Sequence, residues 1–278
     1  MNDPFVVAAP ERRRPSSSAS SLLRAPGLRH RVARGAALAP AFVDELLALR
    51  LRNVSLKKDT DTEADRRKFH AWIQRASWVS WAEDDAGAPR GMLSWRLFQW
   101  THRGEPRVGC VGEYLFLDAP FRGTAVTAGF AVRLLSRILW DARGREVWIG
   151  GAGGYPQSCV AFARQLGEVA FLGEPGTPDE ARAFLDRLTH EADVEASPAG
   201  IVTMRTRPEG VSPGWLRRNE SEDAYRRYVA LNPRWQDGLG LVAATRLSVP
   251  SLARGLAIAV RRAAKEASSI TRRAEVMS

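Results

Sequence analysis

Between residues 78 and 117, three runs of aromatic and aliphatic side chains are separated only by turn-forming residues, and strands joined so briefly must pair antiparallel. The runs are 78–81, 91–100 and 108–117. The first turn carries Asp84, Asp85, Gly87 and Pro89, the second Gly104 and Pro106, and the third run stops at Asp118-Ala119-Pro120. A sheet of this kind needs helices against it to bury its apolar face, and the flanking sequence supplies them.

Before the strands, Phe42, Leu46, Leu47 and 49–51 fall at helical spacing with Pro40 suited to a first turn, which predicts a helix ending near Asn53. Asp61, Glu63 and Asp65 lead into Phe69, Trp72 and Ile73, an acidic start for a second helix that stops near Ala76. After the strands, Phe130, Leu134, Leu135, Ile138 and Leu139 form the buried stripe of a helix over 124–143, closed by Gly144. A short buried strand at 147–149, a glycine loop at 150–154, a helix at 157–166 ended by Gly167 and a strand at 169–172 follow. A helix over 177–189 and an edge strand at 201–206 complete the central region.

Charge is distributed unevenly. Residues 1–35 hold seven Arg against Asp3 and Glu11 and carry +5; residues 251–278 carry +4; the 215 residues between are left at +1. A near-neutral middle argues against a folded DNA-reading domain and against specific nucleic-acid binding, and it leaves basic ends that are solvated or make weak contact with a membrane surface. Within the C-terminal end, Leu252, Leu256, Ala259, Ala263, Ala267 and Ile270 mark one face of a helix that is basic opposite. No stretch reaches the 18 or so apolar residues of a membrane span. The two cysteines and four histidines lack metal-site spacing, so metal chemistry is not expected, and a cytoplasmic protein is. The expected organisation is a flexible basic leader at 1–35, one α/β domain at 36–207 and a helical C-terminal extension at 208–278.

The stretch 113–127, reading EYLFLDAPFRGTAVT, joins a strand end to a helix start through a compact basic turn. The first amides of a helix lack intrahelical partners and lie at the positive end of its dipole, so such a turn suits a pyrophosphate. The turn resembles the signature of the GNAT superfamily of acyl-CoA-dependent N-acyltransferases, R/Q-x-x-G-x-G/A opening a helix, here Arg122-Gly123-Thr124-Ala125-Val126-Thr127. The element order over 38–173 is also that family's, and 155–167 resembles its N-P-x-S…F-x-x-L-G helix with Tyr155 in place of Asn.

The resemblance implies a mixed, mostly antiparallel central sheet flanked by helices. It also implies acetyl-CoA or another acyl-CoA as co-substrate and a small-molecule or peptide amine as acceptor. Arg122, Gly123, Thr124, Ala125, Val126 and Thr127 would hold the phosphates, the amides of Phe116 and Leu117 the pantetheine and thioester carbonyl, and Ser158 would lie near the pantetheine arm. Glu113 would take the proton from the attacking amine, its alternative role being a partner for a nearby Arg. The sequence departs from the pattern at Ala125 and Thr127, which replace two glycines, and at Ala163, where the family often carries a tyrosine acid. These departures motivate the alternative of a GNAT-like binding or scaffold protein without catalysis. The run 150–154 does not satisfy G-x-G-x-x-G, which excludes a dinucleotide loop. Of Trp78, Trp81, Trp95 and Trp100 most are expected in the core, with one or two lining an acceptor pocket.

Overall fold

The computed structural model describes residues 28–54, 56, 60–122, 125–204, 213–248, 250, 253–255, 257–258 and 260–261. Gly123 and Thr124, residues 1–27, and Leu252, Leu256, Ala259, Ala263, Ala267 and Ile270 lie outside them.

The two early helices form where expected, α1 over Pro40–Asn53 with Pro40 in its first turn and α2 over Thr62–Arg75. Asp61 caps α2, its carboxylate accepting from the amides of Glu63 and Ala64 at 3.0 and 2.9 Å. The meander is β2 (Trp78–Glu83), β3 (Pro89–His102) and β4 (Glu105–Leu117), antiparallel throughout. Helix α3 (Ala125–Ala142), β5 (Val147–Gly153), α4 (Pro156–Leu166), the short β6 (Ala170–Phe171) and α5 (Asp179–Ala192) follow. The last elements are β7 (Ile201–Thr203), α6 (Pro213–Asn219), α7 (Asp223–Leu231) and β8 (Leu239–Leu247).

Three expectations are corrected. Residues 28–35 are not leader: Arg29–Ala33 is an edge strand, β1, paired antiparallel with β2, and Leu28 is buried beside it. Its alternating arginines, which mask it in the sequence, suit an edge exposed to water. The segment from 208 is not a purely helical extension, because β8 inserts between β5 and β6 and also pairs with β7. Buried on both faces and rich in alanine, β8 shows no alternation to read. The glycines 150–153 are strand, not loop. A β-carbon at Gly150 would stand 2.5 Å from Leu188 Cδ2, and one at Gly151 2.7 Å from the carbonyl oxygen of Gly112, so neighbouring groups occupy that space.

The sheet runs β1-β2-β3-β4-β5-β8-β6, and only β4 and β5 pair parallel. Helices α1, α2 and α5 cover one face around Leu46, Leu49, Phe69, Ile73, Phe184 and Leu188. Helix α3 covers the other through Val126, Phe130, Leu134 and Ile138, and α4 continues that layer through Leu166. Each fully buried side chain of this size contributes about 1.5–3 kcal/mol. A third cluster, with Cys159, Phe171, Tyr228, Trp235 and Leu241, joins α4 to the C-terminal elements. Trp95 and Trp100 are buried, while Trp78 and Trp81 are half-buried. Among the described residues no helix is long and apolar enough to cross a membrane, and no His, Cys, Asp or Glu cluster is suited to a metal ion.

Candidate functional site

Two strands that start out paired and then separate leave backbone groups without sheet partners, and this happens between β4 and β5. Their parallel pairing runs from Val108 opposite Val147 to Val111 opposite Gly150 and goes no further, although β4 continues to Leu117 and β5 to Gly153. Just past the separation, β4 bulges. Ser94 faces Glu113 and Met92 faces Phe116, so two residues of β4 oppose one of β3, and Tyr114 takes the left-handed conformation with φ +56. The Asp118 amide donates to the Arg90 carbonyl at 2.9 Å. By the alternation of an antiparallel strand, the Leu117 amide therefore faces the gap, and that of Phe116 faces β3. The expectation that both amides serve a ligand thus narrows to Leu117.

The turn after β4 is fixed by a polar network that the sequence did not reveal. Asp118 accepts from Arg52 Nε at 2.9 Å, Arg52 Nη2 at 3.0 Å and Asn53 Nδ2 at 2.8 Å, with Arg90 at 3.5 Å. Burial alone would raise the Asp118 pKa, but the hydrogen bonds from Arg52 and Asn53 outweigh it and hold the carboxyl below its ordinary value. Arg122 bends back into this network: Nε donates to the Leu117 carbonyl at 3.0 Å and Nη2 to Asn53 Oδ1 at 2.9 Å. Its guanidinium therefore lies at the strand end beside the gap, anchored to the C-terminus of α1. The backbone of Ala125, Val126 and Thr127 opens α3, and Val126 is buried under the turn.

Glu113 lies at the bulge, half-buried. Its carbonyl accepts from Ser94 Oγ at 2.9 Å, and Ser94 Oγ accepts from Trp72 Nε1 at 3.0 Å, so a buried relay from α2 fixes its backbone. The neighbouring Tyr114 ring packs 4.9 Å from Phe69, with the Arg50 guanidinium 5.4 Å from its centre. Burial, followed by the charge of Glu113, pushes the Tyr114 hydroxyl pKa far above its ordinary value. Arg96, one strand over, stacks 5.2 Å above Trp72 and pairs with Glu191 of α5 at 2.9 Å. Burial lowers its pKa, while Glu191 and Glu113 oppose that effect. Sequence spacing gave no sign of Arg96 or Tyr114 as neighbours of Glu113.

On the other side of the gap, Ser158 is exposed in the first turn of α4, its Cβ 3.9 Å from where a β-carbon at Gly153 would stand. Ala163 is partly buried against the third cluster beside Phe162. Tyr228, from α7, donates to the Gly153 carbonyl at 2.8 Å and is fully buried, and burial raises its pKa far above the usual range. The structure thus brings Leu117, Arg122 and the start of α3 together at one end of the gap and Ser158 beside the end of β5, with Glu113 at the bulge.

Neither a protein-family model nor a curated protein sequence matches the chain. Among solved structures it is similar to GNAT-family N-acetyltransferases. One, from Escherichia coli and in complex with CoA, is 17% identical with a TM-score of 0.37, over 55% of this chain and 79% of that one. A probable N-acyltransferase from Enterococcus faecalis is 12% identical with a TM-score of 0.35, over 44% of this chain, and the match spans only 29% of that protein's length. An aminoglycoside acetyltransferase from an uncultured soil metagenomic sample, in complex with sisomicin, is 14% identical with a TM-score of 0.31, over 45% of this chain and 76% of that one.

Proposed function

We propose that this chain is an acyl-CoA-dependent N-acyltransferase that moves an acetyl or other acyl group to an amine by direct attack on the thioester. The observation that carries the reading is the separation of β4 from β5 beyond Val111 and Gly150, beside the turn that opens α3. In the reaction the amine nitrogen bonds to the acyl carbon as the carbon–sulfur bond breaks, the thiolate leaves, and the nitrogen loses a proton.

The residues fit these requirements. The Leu117 amide, turned toward the gap, is a donor for a carbonyl that gains negative charge. The first amides of α3 and the nearby Arg122 charge favour phosphates, with Gly123, Thr124, Ala125, Val126 and Thr127 supplying the loop. Glu113, its backbone held by Ser94, accepts the amine proton, and Ser158 lines the α4 side. The acceptor is a small-molecule or peptide amine.

Calorimetric titration with acetyl-CoA and with a longer acyl-CoA, using Arg122→Ala as control, tests the reading. Micromolar binding weakened about tenfold or more in the variant is expected, from loss of a charged contact. Absence of heat with either ligand overturns the reading. Once an acceptor is found, Glu113→Gln should lower kcat at neutral pH with little change in KM. A second reading, a GNAT-like binding protein without turnover, is favoured by Ala163, which offers no acid for the leaving thiolate. Tight CoA binding without turnover on a broad amine panel would select it.

A further inference from the structure

Trp140 is 77% exposed, on a surface where large aromatic side chains are otherwise mostly covered, and Leu139 beside it is 39% exposed. Both lie on the outer side of α3, with Arg133, Ser136, Arg137 and Trp140 at the three- and four-residue spacing of one helix face and Arg143 just beyond the helix end. Of the acids, α3 holds only Asp141, and that carboxylate is turned inward: it accepts from Trp78 Nε1 at 2.8 Å, pairs with Arg34 at 3.2 Å and is 11% exposed. Arg34 and Arg137 both stack on the Trp78 ring, at 3.9 and 5.2 Å from its centre. Arg137, Arg143 and Arg145 form no ion pair among the described residues, whereas Arg52, Arg90, Arg96, Arg107, Arg164 and Arg227 all do.

We infer that the outer face of α3 docks on an anionic lipid surface, with Trp140 and Leu139 entering the headgroup boundary and Arg137 and Arg143 meeting lipid phosphates. An indole suits that boundary because it joins a large apolar area to one hydrogen-bond donor. The face is the convex outside of a helix and has no cleft to splay or stack bases, which favours a lipid surface over a polynucleotide. A second copy of the chain is disfavoured, since a two-fold contact would set this arginine face against itself. The chain before Leu28 adds Arg12, Arg13, Arg14 and Arg24, and it joins the fold beside α3, where Leu28 is buried in the α3 cluster and His30 packs 5.3 Å from Phe130. This face belongs to the folded domain and is separate from the β4–β5 gap, so the inference stands whether or not the chain transfers acyl groups.

Co-sedimentation of the full chain with phosphatidylcholine vesicles, alone and with phosphatidylglycerol at roughly 2:1, tests it. Binding should require phosphatidylglycerol. Trp140→Ala should weaken it about tenfold through lost apolar burial, and Arg137→Ser with Arg143→Ser about 25-fold, at about fivefold per arginine. These exposed positions should leave the melting temperature unchanged. In parallel, a vesicle-induced blue shift of the tryptophan emission should diminish in Trp140→Phe. Equal binding by all variants would mean that the basic ends alone bind, and it would overturn the inference. Failure of the wild type to bind would do the same, as would binding to a single-stranded oligonucleotide that is stronger than to vesicles and is lost in these variants.

Discussion

Replacing Asp118 by Asn removes one charge from the turn after β4 and leaves its shape nearly intact. The Asp118 side chain is 12% exposed and receives two hydrogen bonds from Arg52 and one from Asn53, with Arg90 at 3.5 Å. An asparagine oxygen in place of Oδ1 can still accept from Arg52 Nε and Asn53 Nδ2. Its amide nitrogen would then face Arg52 Nη2, donor against donor. Losing one charge-assisted bond and leaving one donor unmatched costs about 2–3 kcal/mol at neutral pH. For a chain of this size that lowers Tm by about 4–10 °C. The carboxyl pKa is depressed in the folded protein from an ordinary value of 3.8. The stabilisation is therefore complete above that ordinary value and is lost as pH falls through the folded value. Urea unfolding of wild type and variant across pH should show a constant gap from neutral down to about pH 5 that closes in stronger acid. A gap below about 0.5 kcal/mol at neutral pH, or one that stays constant into strong acid, would refute the reasoning.

The buried pair of Arg50 and Asp65, each 2% exposed and doubly hydrogen-bonded, predicts a non-additive cycle. Arg50→Met alone should cost about 3–5 kcal/mol because Asp65 is left buried and unpaired, and combining it with Asp65→Leu should recover much of that loss in chemical denaturation. Cys110 and Cys159 are both free and buried, and burial pushes the Cys159 thiol up to about 12 and that of Cys110 well above its ordinary value. A thiol reagent at pH 8 should therefore label neither in the native protein and both in denaturant.

The elements legible in the sequence were those with a strong local period. The apolar stripe of α3, the acidic start of α2 and the turn residues bounding β2, β3 and β4 each announced themselves within a few residues. The strands β1 and β8 did not: one alternates arginine with small or polar residues at an exposed edge, and the other is covered on both sides. The strand-turn-helix stretch from Glu113 to Thr127 located the candidate site, because its parts are contiguous. What the sequence could not supply was pairing. The bulge at Tyr114 exists only relative to β3, and the groups that fix the turn, Arg52 and Asn53, lie 66 and 65 residues before Asp118. Arg122 shows the same limit, since its position in the motif says nothing about the asparagine that holds it.

The position of β8 also sets the order in which the molecule can be assembled. Its partner β5 leaves the ribosome long before residues 239–247 are made, so one entire side of β5 must wait as an open strand edge. During synthesis the chain therefore carries an unfinished sheet that a neighbouring nascent chain can complete wrongly. Closure of this long-range pairing is the slow event to look for in refolding.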